Sequence, residues 1–175
     1  MSKSKEPSEY DVAMLCRNGE NSRLEKAFNE FPKKMDALKN GSLDEVGFTA
    51  LIYAVENEKT STVKMLLNKK AMINKTDSDG NTPLIYAAKN GDDRTAKLLL
   101  KSKADVNRSD KKYGDTPLIC AINSTEINLD LVKFLVDSGA ELEAKDKEGN
   151  TALDYAKETA RRDALANFLQ KSMGI

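Results

Sequence analysis

The chain has 175 residues, 39% of them hydrophobic, and its 28 basic side chains balance 28 acidic ones. This size suits a single domain, and a net charge of zero gives no support for the basic field that nucleic-acid binding requires. Histidine is absent, which excludes histidine-based catalytic triads, imidazole zinc ligands and histidine pH switches.

Two cysteines, Cys16 and Cys120, lie far apart without C-x-x-C spacing. A disulfide framework or a cysteine metal cluster is therefore not expected, and both are predicted to be small buried hydrophobes. No apolar run approaches the ~20 residues that a membrane span needs, and the N-terminus lacks the apolar core of a signal peptide. We therefore expect a cytoplasmic protein that does not contact membranes.

The chain begins with a polar segment, residues 1–7, that is predicted to be a disordered tail. Ser8 is positioned to cap a helix over about residues 9–17, and a second helix is predicted over residues 22–31 after an Asn-Gly turn. Residues 32–42 then add about six residues relative to the later repeat units, with signals for a short helical turn. Two interpretations of this insertion stay open: a tolerated surface insertion, or a specific contact loop.

A short sequence pattern is repeated along the rest of the chain. Gly-Asn-Thr-Pro-Leu-Ile-Tyr-Ala begins at Gly80, and related copies begin at residues 47, 114 and 149. Their threonines stand at positions 49, 82, 116 and 151, so the steps are 33, 34 and 35 residues. A period in this range indicates a solenoid built from one supersecondary unit.

The residue types in this pattern predict a turn followed by a helix. Gly80 allows the positive φ of a tight turn, and Thr82 can cap the helix that follows. Pro83 suits the first helical position, where its missing N–H costs nothing. Ala87 and Ala88 keep the helix thin, which allows a neighbouring unit to approach closely.

These copies are followed by leucine-rich segments at residues 62–67, 95–100 and 131–136. The first two segments lead into Ala-x-x-Asn at residues 71–74 and 104–107, and the third leads into Gly-Ala-Glu-Leu at residues 139–142. Over roughly residues 10–171 the chain resembles the ankyrin repeat family. The resemblance implies an all-α fold, a solenoid of stacked helix-turn-helix units with β-turn or β-hairpin fingers. It implies one domain over residues 8–175, with repeats at approximately 8–43, 44–76, 77–109, 110–145 and 146–175, of which the first and last are degenerate caps.

The sequence departs from the family pattern in three ways. The family's histidine is replaced by isoleucine at positions 52, 85 and 119 and by Asp154 in the cap, so apolar packing is expected to substitute for its hydrogen bond. A glycine is replaced by Lys70 and Lys103, each costing about 1 kcal/mol if the site needs a positive φ. Repeat four has one extra residue in its finger, residues 111–113, and two in its inter-helix turn, residues 123–129.

No catalytic set is evident. The segment 77–81 resembles the start of a calcium loop, but Ala88 stands where the glutamate ligand belongs, and a turn is predicted instead. No phosphate-binding glycine motif occurs. We therefore expect no enzyme activity, no cofactor and no metal.

Two side-chain rows have two interpretations each. Tyr53, Tyr86 and Tyr155 share one repeat position, which Cys120 takes in repeat four, and this row either binds a partner or packs between repeats. A basic stripe either stabilises helix C-terminal ends or meets an anionic partner; it consists of Lys69, Lys70, Lys101, Lys103 and Arg108.

The resemblance implies a non-enzymatic scaffold, a monomer, that binds another protein through a concave groove and its finger tips. Two alternatives remain: an assembly or capping subunit of a larger complex, and a protein that binds a small ligand in the groove. The family's contact positions fall on these residues: Glu45, Val46, Phe48, Glu56, Asn57, Ser78, Asp79, Asn81, Lys89, Asn90, Lys112, Tyr113, Asp115, Asn123, Ser124, Lys147, Glu148, Asn150 and Glu158.

The finger tips are predicted to differ in charge along the groove. The early tips carry Asp44 and Glu45, then Asp77 and Asp79, whereas the repeat-four finger carries two lysines followed by Tyr113. Such a gradient, acidic to basic and aromatic, is predicted to orient a partner. In the central repeat, deep burial is predicted for Leu84, Leu98 and Leu99.

Overall fold

A computed structural model describes residues 6–45, 47–158 and 162–174. Within these ranges the chain forms helices and no strand, apart from one isolated antiparallel bridge between Lys145 and Thr151. The helices are α1 (Glu9–Asn18), α2 (Asn21–Glu30), α3 (Pro32–Asn40), α4 (Ala50–Glu56), α5 (Thr60–Asn68), α6 (Pro83–Lys89), α7 (Asp93–Lys101), α8 (Pro117–Ile122), α9 (Leu129–Asp137), α10 (Ala152–Glu158) and α11 (Arg162–Met173). The predicted all-α class is confirmed.

The helices stack in two rows. The first row consists of α1, α4, α6, α8 and α10, each packed on the next. The second row consists of α2, α5, α7 and α9, each packed on its first-row partner and on the next second-row helix, while α11 packs on α10. This arrangement is the predicted helical solenoid. None of the helices in the described ranges combines the length and the apolar character needed to cross a bilayer.

Threonine caps start the first-row helices, as the sequence predicts. The Thr49, Thr82 and Thr116 hydroxyl oxygens each accept a hydrogen bond from the backbone N–H three residues on, at 3.2–3.3 Å. Those N–H groups belong to the isoleucines that replace the family's histidine, and all three isoleucine side chains are buried. Each cap of this kind contributes about 1 kcal/mol.

The cap at Thr151 is stronger because of the residue that replaces the family's histidine there. The Thr151 hydroxyl accepts from the Asp154 backbone N–H at 3.3 Å, and the Asp154 carboxylate accepts in return from the Thr151 N–H at 3.0 Å and hydroxyl at 2.6 Å. This reciprocal pair is a capping box. These bonds lower the pKa of Asp154.

The core runs along the interface between the two rows. Leu84 and Leu99 are buried there as predicted, but Leu98 is only half-buried, so that prediction was wrong. Consecutive helical residues differ by about 100° around the axis. Leu98 therefore reaches only the border of the face that Leu99 turns inward.

The insertion at residues 32–42 forms a helix, as its start and stop signals predict, but one face of that helix packs into the core, which neither sequence interpretation anticipated. Pro32 occupies the first turn of α3, and Met35 and Leu38, three residues apart on one face, are buried against α2 and α4. The ammonium of Lys39, also buried, pairs with Asp36 at 2.6 Å. The insertion thus fills space beside the first repeat instead of forming a loop on its surface.

Lys70 and Lys103 have the left-handed backbone that the glycine replacement implies. Their φ angles are 64° and 70°, and the matching glycine in the next repeat, Gly139, has a φ of 91°. A non-glycine residue in this region carries strain of order 1 kcal/mol.

We expect Lys70→Gly and Lys103→Gly each to raise the free energy of unfolding by about 1 kcal/mol, because glycine relieves that strain. Urea melting measures the change. The control is Ser102→Gly, since Ser102 has a φ of −91° and gains nothing from glycine. A Lys103→Gly protein no more stable than the Ser102→Gly protein would contradict the expectation.

Candidate partner-binding surface

Four of the first-row helices, α4, α6, α8 and α10, are preceded by a finger, a turn that begins with an aspartate. The fingers are residues 44–48, 77–81, 110–115 and 146–150. In three fingers one oxygen of the aspartate accepts one or two of the finger's own backbone N–H groups, and the other oxygen accepts a tyrosine hydroxyl. The three tyrosine bonds join Tyr53 to Asp44 (2.6 Å), Tyr86 to Asp77 (2.7 Å) and Tyr155 to Asp146 (2.5 Å). The tyrosine row is therefore engaged internally, and its hydroxyls fix the fingers to the helices.

This aspartate–tyrosine pairing went unnoticed in the sequence, although a signal was present. In each of the three pairs the tyrosine follows the aspartate by nine residues. Phe48 adds to the row because its ring stands edge-on between Tyr53 and Tyr86, with centroid distances of 5.2 and 5.3 Å.

The tyrosine bonds predict a loss of stability at high pH. Burial, followed by the Asp44 bond and charge, raises the pKa of Tyr53 to about 12, and burial with Asp77 raises the pKa of Tyr86 further. A raised folded-state pKa means that the neutral phenol is favoured by folding. The resulting stability is complete below the unfolded pKa of about 10 and is lost as the pH rises towards about 12 and beyond.

We therefore expect wild type to lose more stability between about pH 8 and about pH 11.5 than Tyr53→Phe or Tyr86→Phe. Urea melting at the two pH values measures the difference. Each variant keeps every lysine, so lysine titration cancels in the comparison. Equal losses in wild type and both variants would show that the phenols are not linked to folding.

Neighbouring fingers are joined through their backbones. The Lys111 N–H donates to the Asp79 carbonyl, and the Lys147 N–H donates to the Tyr113 carbonyl, each at 2.8 Å. The Lys147 ammonium also donates to the Lys111 carbonyl. The fingers of repeats three, four and five therefore form a continuous bonded row.

A second connection runs along the opposite ends of the repeats. The side-chain oxygens of Asn40, Asn74 and Asn107 each accept the backbone N–H of a residue 31–34 positions later, at 2.9–3.0 Å. In the sequence, Asn74 and Asn107 stand out only as part of the family pattern, and the spacing of Asn40 from Asn74 was the signal for the third bond.

Most of the predicted contact residues lie at the surface. Twelve are exposed: Glu45, Glu56, Ser78, Asp79, Lys89, Asn90, Lys112, Tyr113, Asn123, Lys147, Glu148 and Glu158. Five are partly buried: Phe48, Asn57, Asp115, Ser124 and Asn150. Asn81 is buried, and Val46 lies outside the described residues.

Several of these side chains are already used inside the protein. The Asn81 amide donates to Asp77 at 2.9 Å and accepts from the Lys89 ammonium at 2.8 Å, so Asn81 positions Lys89. Asn90 donates to the Glu56 carbonyl of the preceding repeat. The Ser124 hydroxyl bonds to backbone carbonyls of its own turn.

The inter-helix turns form an open depression of about 1090 Å³ next to the repeat-four insertion. Asn128 holds this insertion against the preceding repeat, because its side-chain amide donates a hydrogen bond to the Gly91 carbonyl at 3.1 Å. Asn90, Asn123 and Ser124 line the depression. These three predicted contact residues therefore lie together, away from the finger tips.

At the acidic end of the predicted groove, two of the four acids that the sequence indicates are engaged inside their own fingers. Asp44 and Asp77 use their carboxylates for finger backbone and tyrosine hydroxyls. The exposed acids at that end are instead Glu45, Glu56 and Asp79.

The basic and aromatic finger is as exposed as predicted. Tyr113 is 53% exposed, and the Lys112 ammonium stands 5.1 Å from the centre of its ring. The finger backbone beneath them is fixed, because the Asp110 carboxylate accepts the Tyr113 N–H at 2.6 Å and the Gly114 N–H at 3.1 Å.

The basic stripe is only partly committed to internal contacts. Lys69 lies 3.9 Å from Glu25 and 5.3 Å from the centre of the Phe28 ring. The other members of the stripe, Lys70, Lys101, Lys103 and Arg108, are exposed. Both interpretations of this stripe stay open.

Comparison with known families agrees with this architecture. A family model described as ankyrin repeats, three copies, matches residues 13–110 and again residues 108–175. The two matches together span most of the chain, which belongs to the ankyrin repeat family. A search of curated proteins found no match.

Proposed function

We propose that this protein is a non-enzymatic monomeric scaffold of the cytoplasm that binds a partner protein through its fingers and first-row helices. Residues 8–175 act as one domain in this proposal, and the predicted contact residues that are exposed form the surface. The observation that carries it is the repeat-four finger, where an exposed tyrosine and lysine stand on a backbone held from both sides.

A fixed finger favours binding because little conformational freedom remains to be lost on association. Exposed aromatic side chains on such a support are the residues that commonly dominate interface energies. Lys111, Lys112 and Lys147 surround Tyr113 and are exposed, so a partner segment that carries carboxylates beside an apolar group fits this end of the surface.

The test compares wild type with the double variant Tyr113→Ala/Lys112→Glu in affinity capture followed by titration of the captured protein. We expect at least tenfold weaker binding, which corresponds to about 1.4 kcal/mol. Circular dichroism checks that the variant stays folded, as expected for two exposed side chains.

The matched control is Lys33→Ala/Lys64→Glu, because both lysines are exposed and lie on α3 and α5, outside the predicted contact residues. This control should bind as wild type does. The proposal fails if the finger variant binds with unchanged affinity, or if the control loses as much affinity as the finger variant does. It also fails if affinity capture finds no protein that binds wild type and is lost with the finger variant.

A further inference from the structure

The finger of repeat four lacks the tyrosine bond found in the other three. Cys120 occupies the tyrosine position, and the Oδ2 atom of Asp110 is left buried without a hydrogen-bond partner. Asp110 is only 4% exposed and Cys120 only 3%. A buried carboxylate oxygen without a partner is costly, and such atoms are rare in native structures.

Two further ligand atoms lie beside this unpaired oxygen. Carboxylate oxygens of Asp110 and Asp115 and the Cys120 sulfur all lie within 4.8 Å of one another. Over the described ranges Asp92 Oδ2 is the other buried carboxylate oxygen without a partner, but it does not belong to a group of this kind. The repeat-four finger therefore combines an unsatisfied buried oxygen with a set of metal-ligand atoms.

The surroundings fix one ligand and leave another, Asp115, accessible. The other Asp110 oxygen is held by the Tyr113 and Gly114 N–H groups, which orient the carboxylate as outer-shell bonds do for metal ligands. A small depression of about 190 Å³ lined by Tyr113, Asp115 and Asp146 opens next to the site. Through it an ion can reach Asp115, which is half-buried.

The charges around the three side chains favour a cation. The carboxylate of Asp115 lies beside those of Asp110 and Asp146, so a cation would offset the repulsion between these like charges. The Cys120 side chain is a buried thiol, and a metal ion binds its thiolate form. A metal ion must therefore displace the thiol proton. It must also compete with the nearby ammonium of Lys89, which donates a hydrogen bond to Asn81.

We propose that Asp110, Asp115 and Cys120 bind a divalent cation of the zinc class, with a water molecule as fourth ligand. Two carboxylate oxygens and one thiolate suit a tetrahedral zinc site with an open position. The sulfur ligand selects against Ca²⁺ and Mg²⁺, which take oxygen ligands. Ligand atoms around tetrahedral zinc lie roughly 3.5 Å apart, so small side-chain rotations close the site. This proposal departs from the sequence-based expectation of no metal.

The ion would take over the bond that tyrosine makes in the other fingers. It would join the first residue of the finger to α8 through Asp110 and Cys120, and it would engage Asp115 near the finger's end. The finger that carries Tyr113 would then depend on metal for its full rigidity.

The test titrates the reduced full-length protein with Co²⁺ and, by calorimetry, with Zn²⁺. We expect one ion per chain, a thiolate-to-cobalt charge-transfer absorption band, and a higher melting temperature with Zn²⁺. Cys120→Ser should lose the band and bind Zn²⁺ at least tenfold more weakly. Cys16→Ser, at the other buried cysteine, should behave as wild type.

A second variant decides the matter even if Cys120→Ser fails to fold. Cys120→Tyr restores the residue of the other repeats, so its hydroxyl should bond to Asp110 Oδ2, stabilise the metal-free protein and abolish metal binding. Absence of stoichiometric Zn²⁺ binding and of the cobalt band in wild type would overturn the proposal. A band that survives in Cys120→Tyr, or that disappears in Cys16→Ser, would overturn it equally.

Discussion

Met35→Ala is expected to lower the free energy of unfolding by about 2–5 kcal/mol, the range for truncating a buried large apolar side chain. Met35 is fully buried between α2 and α4 although it belongs to an inserted segment. The cost combines lost apolar burial with a cavity at the junction of three helices. Urea melting followed by circular dichroism measures it.

The control for this variant is Lys33→Ala in the same helix, because Lys33 is exposed and its truncation should change stability by less than about 0.5 kcal/mol. A Met35→Ala protein as stable as the Lys33→Ala protein would mean that the insertion is a surface segment after all.

Gly80→Ala is expected to cost about 2–4 kcal/mol, because two penalties add at this position. Its φ of 87° is strained for alanine, at about 1 kcal/mol or more. A Cβ there would also approach the Lys111 backbone nitrogen to 2.5 Å, which forces the two fingers apart, and overpacking of this kind costs about 1–3 kcal/mol.

Gly149→Ala separates the two penalties. Gly149 has a φ of 89°, but a Cβ there would meet no atom within 4 Å. Gly149→Ala should therefore show only the backbone strain in a urea melt. If the two variants lose similar amounts of unfolding free energy, the fingers can move apart at no cost, and their close approach contributes nothing to stability.

The sequence predicts the parts of this fold that depend on local chemistry. Thr82 caps α6, Pro83 occupies its first turn, and Gly80 has the positive φ of the turn before it. Because each role follows from the residue type, the recurrence of this pattern along the chain indicates the architecture. The left-handed backbone at Lys70 and Lys103 also follows, because position within the repeat determines it.

The parts that sequence reasoning missed depend on contacts between segments. The burial of α3 follows from the space beside α2 and α4, which no local pattern describes. The internal use of Asp44 and Asp77 requires knowing that a finger folds back on its own helix. The unpaired oxygen of Asp110 becomes visible only when repeat four is compared with its neighbours in space.

The ladder of asparagine bonds, which links the first four repeats to one another, has a mechanical consequence. Every bond in it joins adjacent units, and solenoids of this kind owe their stability to nearest-neighbour interfaces. When its two ends are pulled apart, we expect such a molecule to lengthen because whole units unfold one after another from a terminus. The units left behind keep their own bonds intact, so we expect extension under load to proceed in steps.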